Sequence, residues 1–225
     1  MTRIAGSTCI IATLSLLAGC SPSTGGTLSG GSIPDSQWAA ALDNTRGSAV
    51  QILADTCDRK ISGTGFVIGR HIIVSNAHVL ARAVQATIVT QSGHQMRITV
   101  SAVDADADLA EATTTEVLPP ALTEGTDPVP GDLVRALGYP EGRPFKATSG
   151  RVIEYRNGAR YGRQGQVLAM SSRVLPRTSG GPHVNSRGEV VGVVFALSRD
   201  DGNGLAIPIS ILKQPHTSPA AVASC

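Results

Sequence analysis

Short apolar runs broken by glycine, proline and polar residues repeat along most of the chain. Five runs suited to strands lie in the first half, at 48–54, 63–69, 71–79, 86–90 and 96–103. Five more lie in the second half, at 132–140, 146–156, 165–172, 189–197 and 204–209. A polar, proline-rich stretch at 113–132 connects the halves. Short strands at near-regular spacing predict an all-β protein built of barrels or a sandwich.

Two segments have a helical pattern instead. Residues 35–46 read DSQWAAALDNTR, with Asp35 or Ser36 as a candidate N-cap, and residues 209–214 read ISILKQ near the end of the chain. Side-chain oxygens of Asp and Ser accept from the free N–H groups of a first helical turn. We therefore predict one helix before the strands and a short one after them.

Composition and charge exclude some classes of protein. Hydrophobic residues make up 41% of the chain and charged residues 16%, which is typical of a globular domain. The net charge of +2 is the sum of −5 over residues 1–132 and +7 over residues 133–225. A basic second half would attract acidic lipids or substrates, but we favour an unevenly charged, solvated surface. Aromatic residues are only 3%, so nucleic-acid binding is not predicted.

The first residues indicate an exported protein. A short apolar run at 10–18 follows Arg3 and is too short to span a bilayer, which suits a signal peptide over residues 1–19. Leu17-Ala18-Gly19-Cys20 resembles a bacterial lipobox, in which Cys20 carries the lipid. Ordinary secretion with cleavage near Ala18 is the alternative. We predict a flexible tether over 20–40, Ser/Gly-rich at its start, and an extracytoplasmic location on the bacterial cell membrane.

Cysteine counting predicts one disulfide. Without the signal peptide the chain holds Cys20, Cys57 and Cys225, so lipidation of Cys20 leaves two cysteines in an oxidising compartment. A Cys57–Cys225 bridge would close a long loop and stabilise the fold by ~5 kcal/mol in the loop-entropy treatment. No paired Cys/His spacing suggests a metal site, and no metal or organic cofactor is predicted.

Three stretches carry residues suited to acyl transfer. SNAHVL places His78 at the end of an apolar run, DADADLAE offers Asp104, Asp106 and Asp108, and TSGGP offers Ser179. A serine hydroxyl needs a base to take its proton, an acid to orient that base, and N–H donors for the oxyanion. The three aspartates share one strand parity, so alternation alone does not choose the acid.

Together these stretches resemble a known family. GTGFVIGRHIIVSNAHVL, DADLA, LGYPEGRP, SGRV, TSGGPHVNSRGEVVGVVF and GLAIP occur in the order found in trypsin-like serine proteases of the chymotrypsin fold, with the bacterial HtrA-type and membrane-anchored actinobacterial branch most similar. The resemblance covers about residues 47–212. It implies a protease domain over 41–215 with two antiparallel six-stranded β-barrels, at about 47–118 and 130–212, a short C-terminal helix, and a tail at 216–225.

The resemblance also assigns roles to residues. His78 matches the general base, Ser179 the nucleophile, and Asp108 the acid, because the family's acid stands just before a Leu-Ala pair. The N–H groups of Arg177 and Ser179 match the oxyanion hole. Ser149 matches a strand of the family and not its nucleophile.

A primary substrate pocket is implied as well. Its walls would be formed by Phe195, Ala196, Leu197 and Leu205. The expected substrate is a protein or peptide. No acidic residue matches the pocket floor, so a preference for cleavage after Lys or Arg is not expected. Leu197 and Leu205 would favour small or medium apolar side chains.

Two residues depart from the family pattern. Arg177 stands where glycine is usual, and a side chain there opposes the backbone conformation that aims the oxyanion donor. Loss of one donor would cost on the order of 10²–10³ in turnover. Thr178 stands where zymogen-activated members have an Asp that pairs with a new N-terminus, so no such switch is predicted.

The favoured interpretation is a membrane-tethered, extracytoplasmic serine endopeptidase. The main alternative is a protease-fold lipoprotein of weak or no activity that acts as a binding or regulatory module, with Arg177 as its support. A third interpretation is a β-rich lipoprotein that captures substrates, but under it the order of the motifs would be a coincidence. The sequence carries no signal of an oligomeric state.

Overall fold

The structure is a computed structural model that describes residues 33–142, 144–214 and 225. The predicted signal peptide, Cys20, the first part of the tether and nearly all of the tail lie outside the described residues. Among the described residues no helix has the length and apolar character needed to cross a membrane.

Two groups of six strands make up the described chain. The first group is β1 Ala49–Asp55, β2 Lys60–Gly69, β3 Ile72–Ser75, β4 Gln85–Val89, β5 Gln95–Asp104 and β6 Leu109–Thr113. The second group is β7 Leu133–Gly138, β8 Lys146–Asn157, β9 Gln166–Met170, β10 Pro182–Val184, β11 Val190–Leu197 and β12 Gly204–Pro208. The helices are α1 Asp35–Thr45, α2 Ala77–Leu80 and α3 Ile209–Leu212, and 3₁₀ turns cover Pro140–Gly142 and Gly158–Tyr161.

Each group closes into an antiparallel barrel. The first barrel runs in the order β1-β2-β3-β6-β5-β4 and the second in the order β10-β11-β12-β9-β8-β7. Closure leaves no strand with an unpaired edge, which removes a site for aggregation. The prediction of two six-stranded antiparallel barrels with a short C-terminal helix is confirmed.

Packed apolar clusters fill the interior of each barrel and join the two barrels. Side chains of β2 point alternately into two of these clusters. Val67 lies in the interior of the first barrel, and Phe66 lies in a core that spans both barrels. This shared core also contains Leu109 of β6 and Leu137 of β7, all fully buried. A further cluster around Leu168 fills the second barrel. Leu109 directly follows Asp108, so barrel packing fixes the position of the predicted acid.

Three local features differ from the sequence predictions. β6 and β10 were not among the predicted strands. β10 has three residues, too few for an alternation pattern, and β6 reads LAEAT, which is poor in the β-branched and aromatic residues that mark an apolar strand. The predicted strand at 71–79 ends at Ser75 and gives way to α2. Helix α1 begins inside the predicted tether of 20–40, since Trp38 is buried and the Arg135 guanidinium lies 4.5 Å from its ring centroid.

Candidate active site

His78 lies on the short helix α2, one residue after its start. The flanking residues Ala77, Val79 and Leu80 are buried, whereas the side chain of His78 is 47% exposed. The three apolar neighbours therefore anchor this single turn and leave the imidazole at the surface of the first barrel. The predicted strand at 71–79 included this residue, whereas the structure places it on a helical turn after β3.

Asp108 lies in the turn between β5 and β6, and its carboxylate holds His78 at two points. Oδ2 of Asp108 accepts a hydrogen bond from Nδ1 of His78 at 2.8 Å, and Oδ1 accepts from the main-chain N–H of His78 at 2.9 Å. An ionised carboxylate only accepts, so Nδ1 carries the proton and Nε2 keeps a free lone pair. The ring is thus oriented as a base on the side away from Asp108.

The structure resolves the ambiguity among the three aspartates. Oδ1 of Asp104 accepts from the main-chain N–H of Ala107 at 2.8 Å, which caps the turn that leads into β6. Oδ2 of Asp106 accepts from Nε2 of Gln164 at 2.9 Å on the protein surface. Asp108 is therefore the aspartate that pairs with His78, as the resemblance implies.

Ser179 lies in the loop between β9 and β10, and main-chain hydrogen bonds fix this loop to both barrels. The N–H of Thr64 on β2 donates to the Ser179 carbonyl at 2.9 Å, and the N–H of Gly180 donates to the Val194 carbonyl at 2.8 Å. The Ser179 hydroxyl donates to the Phe195 carbonyl at 3.2 Å. Among the described residues the hydroxyl makes no hydrogen bond to His78, so the serine is in a resting orientation.

A glycine lets the Ser179 loop pack closely against the His78 helix. A Cβ on Gly63 would lie 2.8 Å from the side chain of Val79 and 3.3 Å from the Ser179 carbonyl oxygen. Val79 directly follows His78 on α2. The main chain of the candidate nucleophile and the helix of the candidate base are therefore separated by about the width of one glycine.

Arg177 adopts the backbone conformation usually left to glycine, with φ of +70°. Its carbonyl accepts from Oγ1 of Thr64 at 3.0 Å, and the preceding Pro176 carbonyl accepts from the Glu141 N–H at 3.0 Å. In a trans peptide the N–H points opposite to the carbonyl, so the Pro176–Glu141 hydrogen bond sets the direction of the Arg177 N–H. Neither this N–H nor that of Ser179 donates to another described residue.

Sequence reasoning missed Glu141 as a contributor to this site. The residue lies in the 3₁₀ turn Pro140–Gly142 and itself has φ of +55°. Its contact with Pro176 uses a main-chain N–H, which every residue type except proline has. No pattern in the amino-acid sequence marks such a contact, so only the folded structure shows it.

Thr178 is buried beside Gly138, where it contributes packing. A Cβ on Gly138 would lie 2.8 Å from Cγ2 of Thr178, and the Thr178 N–H donates to the Leu175 carbonyl at 3.1 Å. The side chain is uncharged and nearly fully buried. Its surroundings therefore suit a methyl group.

The predicted pocket residues divide into two groups. Leu197 is 44% exposed at the end of β11, and Phe195 and Ala196 are partly buried. Leu205 on β12 has no exposed surface and packs with Val167 and Ala169. Strand alternation turns its side chain away from Ala206 and the cluster around Leu168, and Phe195 and Ala196 pack against the same group as Leu205. Leu205 is therefore buried beside the other predicted pocket residues and has no exposed wall of its own.

An open cavity of about 270 Å³ lies directly beside His78 and Asp108. Ile61 and Ala81 give it apolar walls, while Arg59 and Arg82 are among its charged lining residues. A cavity of this size and mixed lining suits a single side chain of a bound peptide. No group of three or more His, Cys, Asp or Glu side chains suited to a metal ion occurs within the described ranges.

The structure joins Cys57 and Cys225 in a disulfide with Cα atoms 5.6 Å apart. Cys57 lies in the turn between β1 and β2 of the first barrel, two residues before Arg59 of the cavity. The bridge therefore attaches the last residue of the chain to the first barrel.

Comparison with known proteins gives the same family. The family model "Trypsin-like peptidase domain" matches residues 63–193. Serine protease Rv3671c of Mycobacterium tuberculosis is 34% identical over 167 residues, which are 70% of this chain and 42% of that protein. Serine protease HTRA4 of Homo sapiens is 31% identical over 161 residues, 68% of this chain and 34% of that protein. The chain thus spans less than half the length of these relatives.

The solved structures agree with the fold. The crystal structure of the Rv3671c protease in its active form has a TM-score of 0.73 and 28% identity, covering 86% of this chain and 92% of that one. The HtrA-type protease AlgW, solved with a tripeptide, has a TM-score of 0.73 over 77% of this chain and 60% of that one, and its 23% identity shows the fold alone. From the matched family model, the relatives and the barrels, we conclude that this chain belongs to the trypsin-like peptidase family.

Proposed function

We propose that the chain is a serine endopeptidase in which Ser179 is the nucleophile, His78 the general base and Asp108 the acid that orients it. The supporting observation is the double hydrogen bond from His78 to Asp108, at 2.8 and 2.9 Å, on a helix against which the Ser179 loop packs. Such a pairing fixes the tautomer that a base needs. It also stabilises the imidazolium that forms when the base takes a proton.

The chemistry follows from the free lone pair on Nε2. A rotation about χ1 of Ser179 would exchange the hydrogen bond to Phe195 for one to His78, since apo structures often lack the catalytic hydrogen bond. Oγ then forms a bond to the substrate carbonyl carbon while its proton passes to Nε2. The imidazolium returns that proton to the leaving amine as the peptide C–N bond breaks, and water later hydrolyses the acyl-enzyme in the same way.

The oxyanion would be held by the N–H groups of Arg177 and Ser179. Both are free of partners among the described residues, and the Glu141–Pro176 hydrogen bond keeps the Arg177 peptide in one orientation. Donors that are fixed before the reaction stabilise developing charge without reorganisation.

The substrate class is a peptide, with a preference for small or medium apolar side chains next to the cut bond. The partly exposed surfaces of Phe195, Ala196 and Leu197 support this, and they carry no acidic group that would select Lys or Arg. The relative AlgW was solved with a tripeptide, which supports a peptide ligand for this fold.

The test is labelling of the full chain by a fluorophosphonate probe, beside cleavage of casein. We expect rapid labelling of the parent, loss of labelling in Ser179→Ala, and unchanged labelling in the matched control Ser149→Ala, whose residue is exposed on β8. No labelling and no cleavage by a parent shown to be folded would refute the proposal.

A catalytically silent binding module is the second candidate. It is favoured by the Ser179 hydroxyl bonding Phe195 and by Arg177 at the oxyanion position. Arg177→Gly separates the two candidates, because glycine adopts φ of +70° freely. If Arg177 suppresses activity, the variant gains on the order of 10²–10³ in kcat. If the donor already points correctly, as we propose, kcat changes by less than about 3-fold.

We also propose that the domain is tethered to the outer face of a membrane through lipid at Cys20, on the support of the Leu17–Cys20 motif and the Ser/Gly-rich segment after it. Cys20→Ala should move the protein from the membrane fraction to the soluble fraction. Cys9→Ala, inside the predicted signal peptide, is the matched control and should stay with membranes. Membrane association of Cys20→Ala equal to that of the parent would refute the anchor.

A further inference from the structure

Arg163 is a buried arginine that neither the sequence motifs nor the proposed catalytic steps use. It lies on the segment between β8 and β9 of the second barrel and is only 4% exposed. Its Nη2 donates to the Ala107 carbonyl in the first barrel at 2.8 Å. Its guanidinium also lies 5.5 Å from the ring centroid of Phe195. The side chain thus connects the loop of the candidate acid with the residue that holds Ser179 at rest.

The charge of Arg163 faces the acid loop. Burial lowers the pKa of its guanidinium, while the charges of Asp108 and Asp104 oppose that shift. Arginine stays protonated in proteins, so a positive charge remains beside these two carboxylates. Nε of Arg163 is buried with no hydrogen-bond partner among the described residues. A buried cation with incomplete pairing costs stability, which argues for a role other than stabilising the fold.

The backbone of Asp108 has φ of +51°, a left-handed conformation that aspartate tolerates better than most residues but that still favours support from its surroundings. The peptide groups on both sides of Asp108 are held by different barrels. Arg163 of the second barrel donates to the Ala107 carbonyl, and Nδ2 of Asn76 in the first barrel donates to the Asp108 carbonyl at 2.9 Å. Strained conformations persist when their surroundings fix them in this way.

We propose that Arg163 is a positioning residue for Asp108: it holds the Ala107–Asp108 peptide from the opposite barrel and places a positive charge beside the carboxylate that orients His78. The inference rests on the proposed function, in which Asp108 acts through His78. Its consequence is that a residue of the second barrel sets the geometry of a base and an acid that both belong to the first.

A neighbouring contact provides the control. The Gln164 N–H donates to the Asp106 carbonyl at 3.0 Å and its Nε2 donates to the Asp106 carboxylate at 2.9 Å. Gln164 therefore joins the same two segments without touching Asp108. Arg160, an exposed arginine on the same segment that pairs with Asp200 at 3.2 Å, is the control for loss of a charge.

The experiment compares Arg163→Met and Arg163→Lys with Gln164→Ala and Arg160→Met in the full chain. We expect Arg163→Met to lower kcat about 10- to 100-fold while KM stays within about 3-fold of the parental value, because misplaced catalytic groups reduce turnover more than binding. The kcat values are expressed per active site, counted by titration. Arg163→Lys keeps the charge and one donor and should lose about 3- to 10-fold. Both controls should stay within about 2-fold of the parent.

Proton NMR of histidine-labelled protein gives a readout that does not depend on turnover. The His78 Nδ1–H proton, hydrogen-bonded to Asp108, should give a downfield resonance that shifts or broadens in Arg163→Met and stays unchanged in Gln164→Ala. A folded Arg163→Met with unchanged kcat and an unchanged resonance overturns the inference.

If Arg163→Met does not fold, Arg163→Lys decides, and parental kcat with an unshifted resonance in that variant overturns the inference. A parent that is folded yet not labelled by fluorophosphonate would instead refute the proposed function. The resonance would then still test whether Arg163 positions Asp108.

Discussion

Individual residues in the left-handed backbone region mark the candidate site. Asp108, Glu141 and Arg177 are the non-glycine residues with positive φ in the described part of the chain, and all three belong to this site or support it. Such conformations cost roughly 1–3 kcal/mol each and occur where function requires them. Here each is stabilised by hydrogen bonds from a different segment, so the strain is offset by tertiary contacts.

Asp108→Asn should preserve the fold and remove the function of the acid. Asparagine has the shape of aspartate and tolerates positive φ, but its amide does not fix the productive tautomer of His78. We expect kcat to fall by on the order of 10⁴ while the thermal midpoint stays close to that of the parent. Peptide hydrolysis and calorimetry on the same preparations measure both quantities.

Asp106→Asn is the matched control for that variant, because Asp106 lies two residues away and bonds Gln164 at the surface. It should keep kcat within about 2-fold of the parent. Equal losses of kcat in Asp108→Asn and Asp106→Asn would show that the aspartate paired with His78 has no special role.

The free energy of unfolding should depend on pH through His183. Its ring is fully buried with Nε2 3.2 Å from Oγ of Ser172, and burial lowers its pKa to about 3. The unfolded chain binds a proton near pH 6.5, so this contribution is complete above about pH 6.5 and is lost as pH falls toward 3. The loss approaches about 1.4 kcal/mol per pH unit.

Urea unfolding at pH 7 and near pH 4.5 measures this effect. His183→Gln keeps a polar partner for Ser172 but does not titrate, so its stability should fall less between the two pH values. The same fall in parent and variant would assign the pH dependence to other groups.

At the scale of elements, the site depends on how closely the Ser179 loop packs against the first barrel. Gly180 has φ of +86°, and a Cβ there would collide with Oγ of Ser75 and the Thr64 carbonyl. Both contacts are with the β2–β3 pair, just before the helix that carries His78. The glycine is thus required for the approach of two segments as well as for its own backbone conformation.

Gly180→Ala should lower the free energy of unfolding by more than about 3 kcal/mol, because steric overlap adds to backbone strain. Gly93→Ala is the matched control, since Gly93 has φ of +85° with open space around it. The control should lose about 1 kcal/mol, the cost of the backbone alone. Similar losses for both variants, measured by chemical denaturation, would contradict the packing argument.

At the scale of the whole molecule, a disulfide constrains the chain in addition to the packing of the barrels. Cys57 and Cys225 are 168 positions apart, and their bridge fixes the chain end to the first barrel. Cross-links stabilise mainly by restricting the unfolded chain, and a loop of this length contributes up to ~5 kcal/mol.

The double variant Cys57→Ala/Cys225→Ala should therefore unfold at a lower temperature than the parent by ~10 °C. Reductant should lower the midpoint of the parent to that of the variant and leave the variant unchanged. A parent whose midpoint does not respond to reductant would show that the bridge contributes no stability.

Long segments with a regular pattern were predictable and short ones were not. The alternation of β5 and the continuous apolar run of β11 predict strands from local sequence alone, and the helical pattern of 35–46 was likewise visible. β10 has only three residues, and its strand conformation comes from pairing with β11 and β7. α2 has four residues, too few for a helix to be stable alone, and it forms because three of them are buried.

The amino-acid sequence alone determined the class of fold, the family, the candidate nucleophile and base, and one pair of cysteines, because these depend on residue types and their order along the chain. The tertiary structure alone decided the two hydrogen bonds that join Asp108 to His78, the full burial of Leu205, and the contacts that Glu141 and Arg163 make with segments of the site. These features are contacts between distant segments, often through main-chain groups or a buried charge. Such contacts depend on how the barrels pack in three dimensions, which local patterns do not encode.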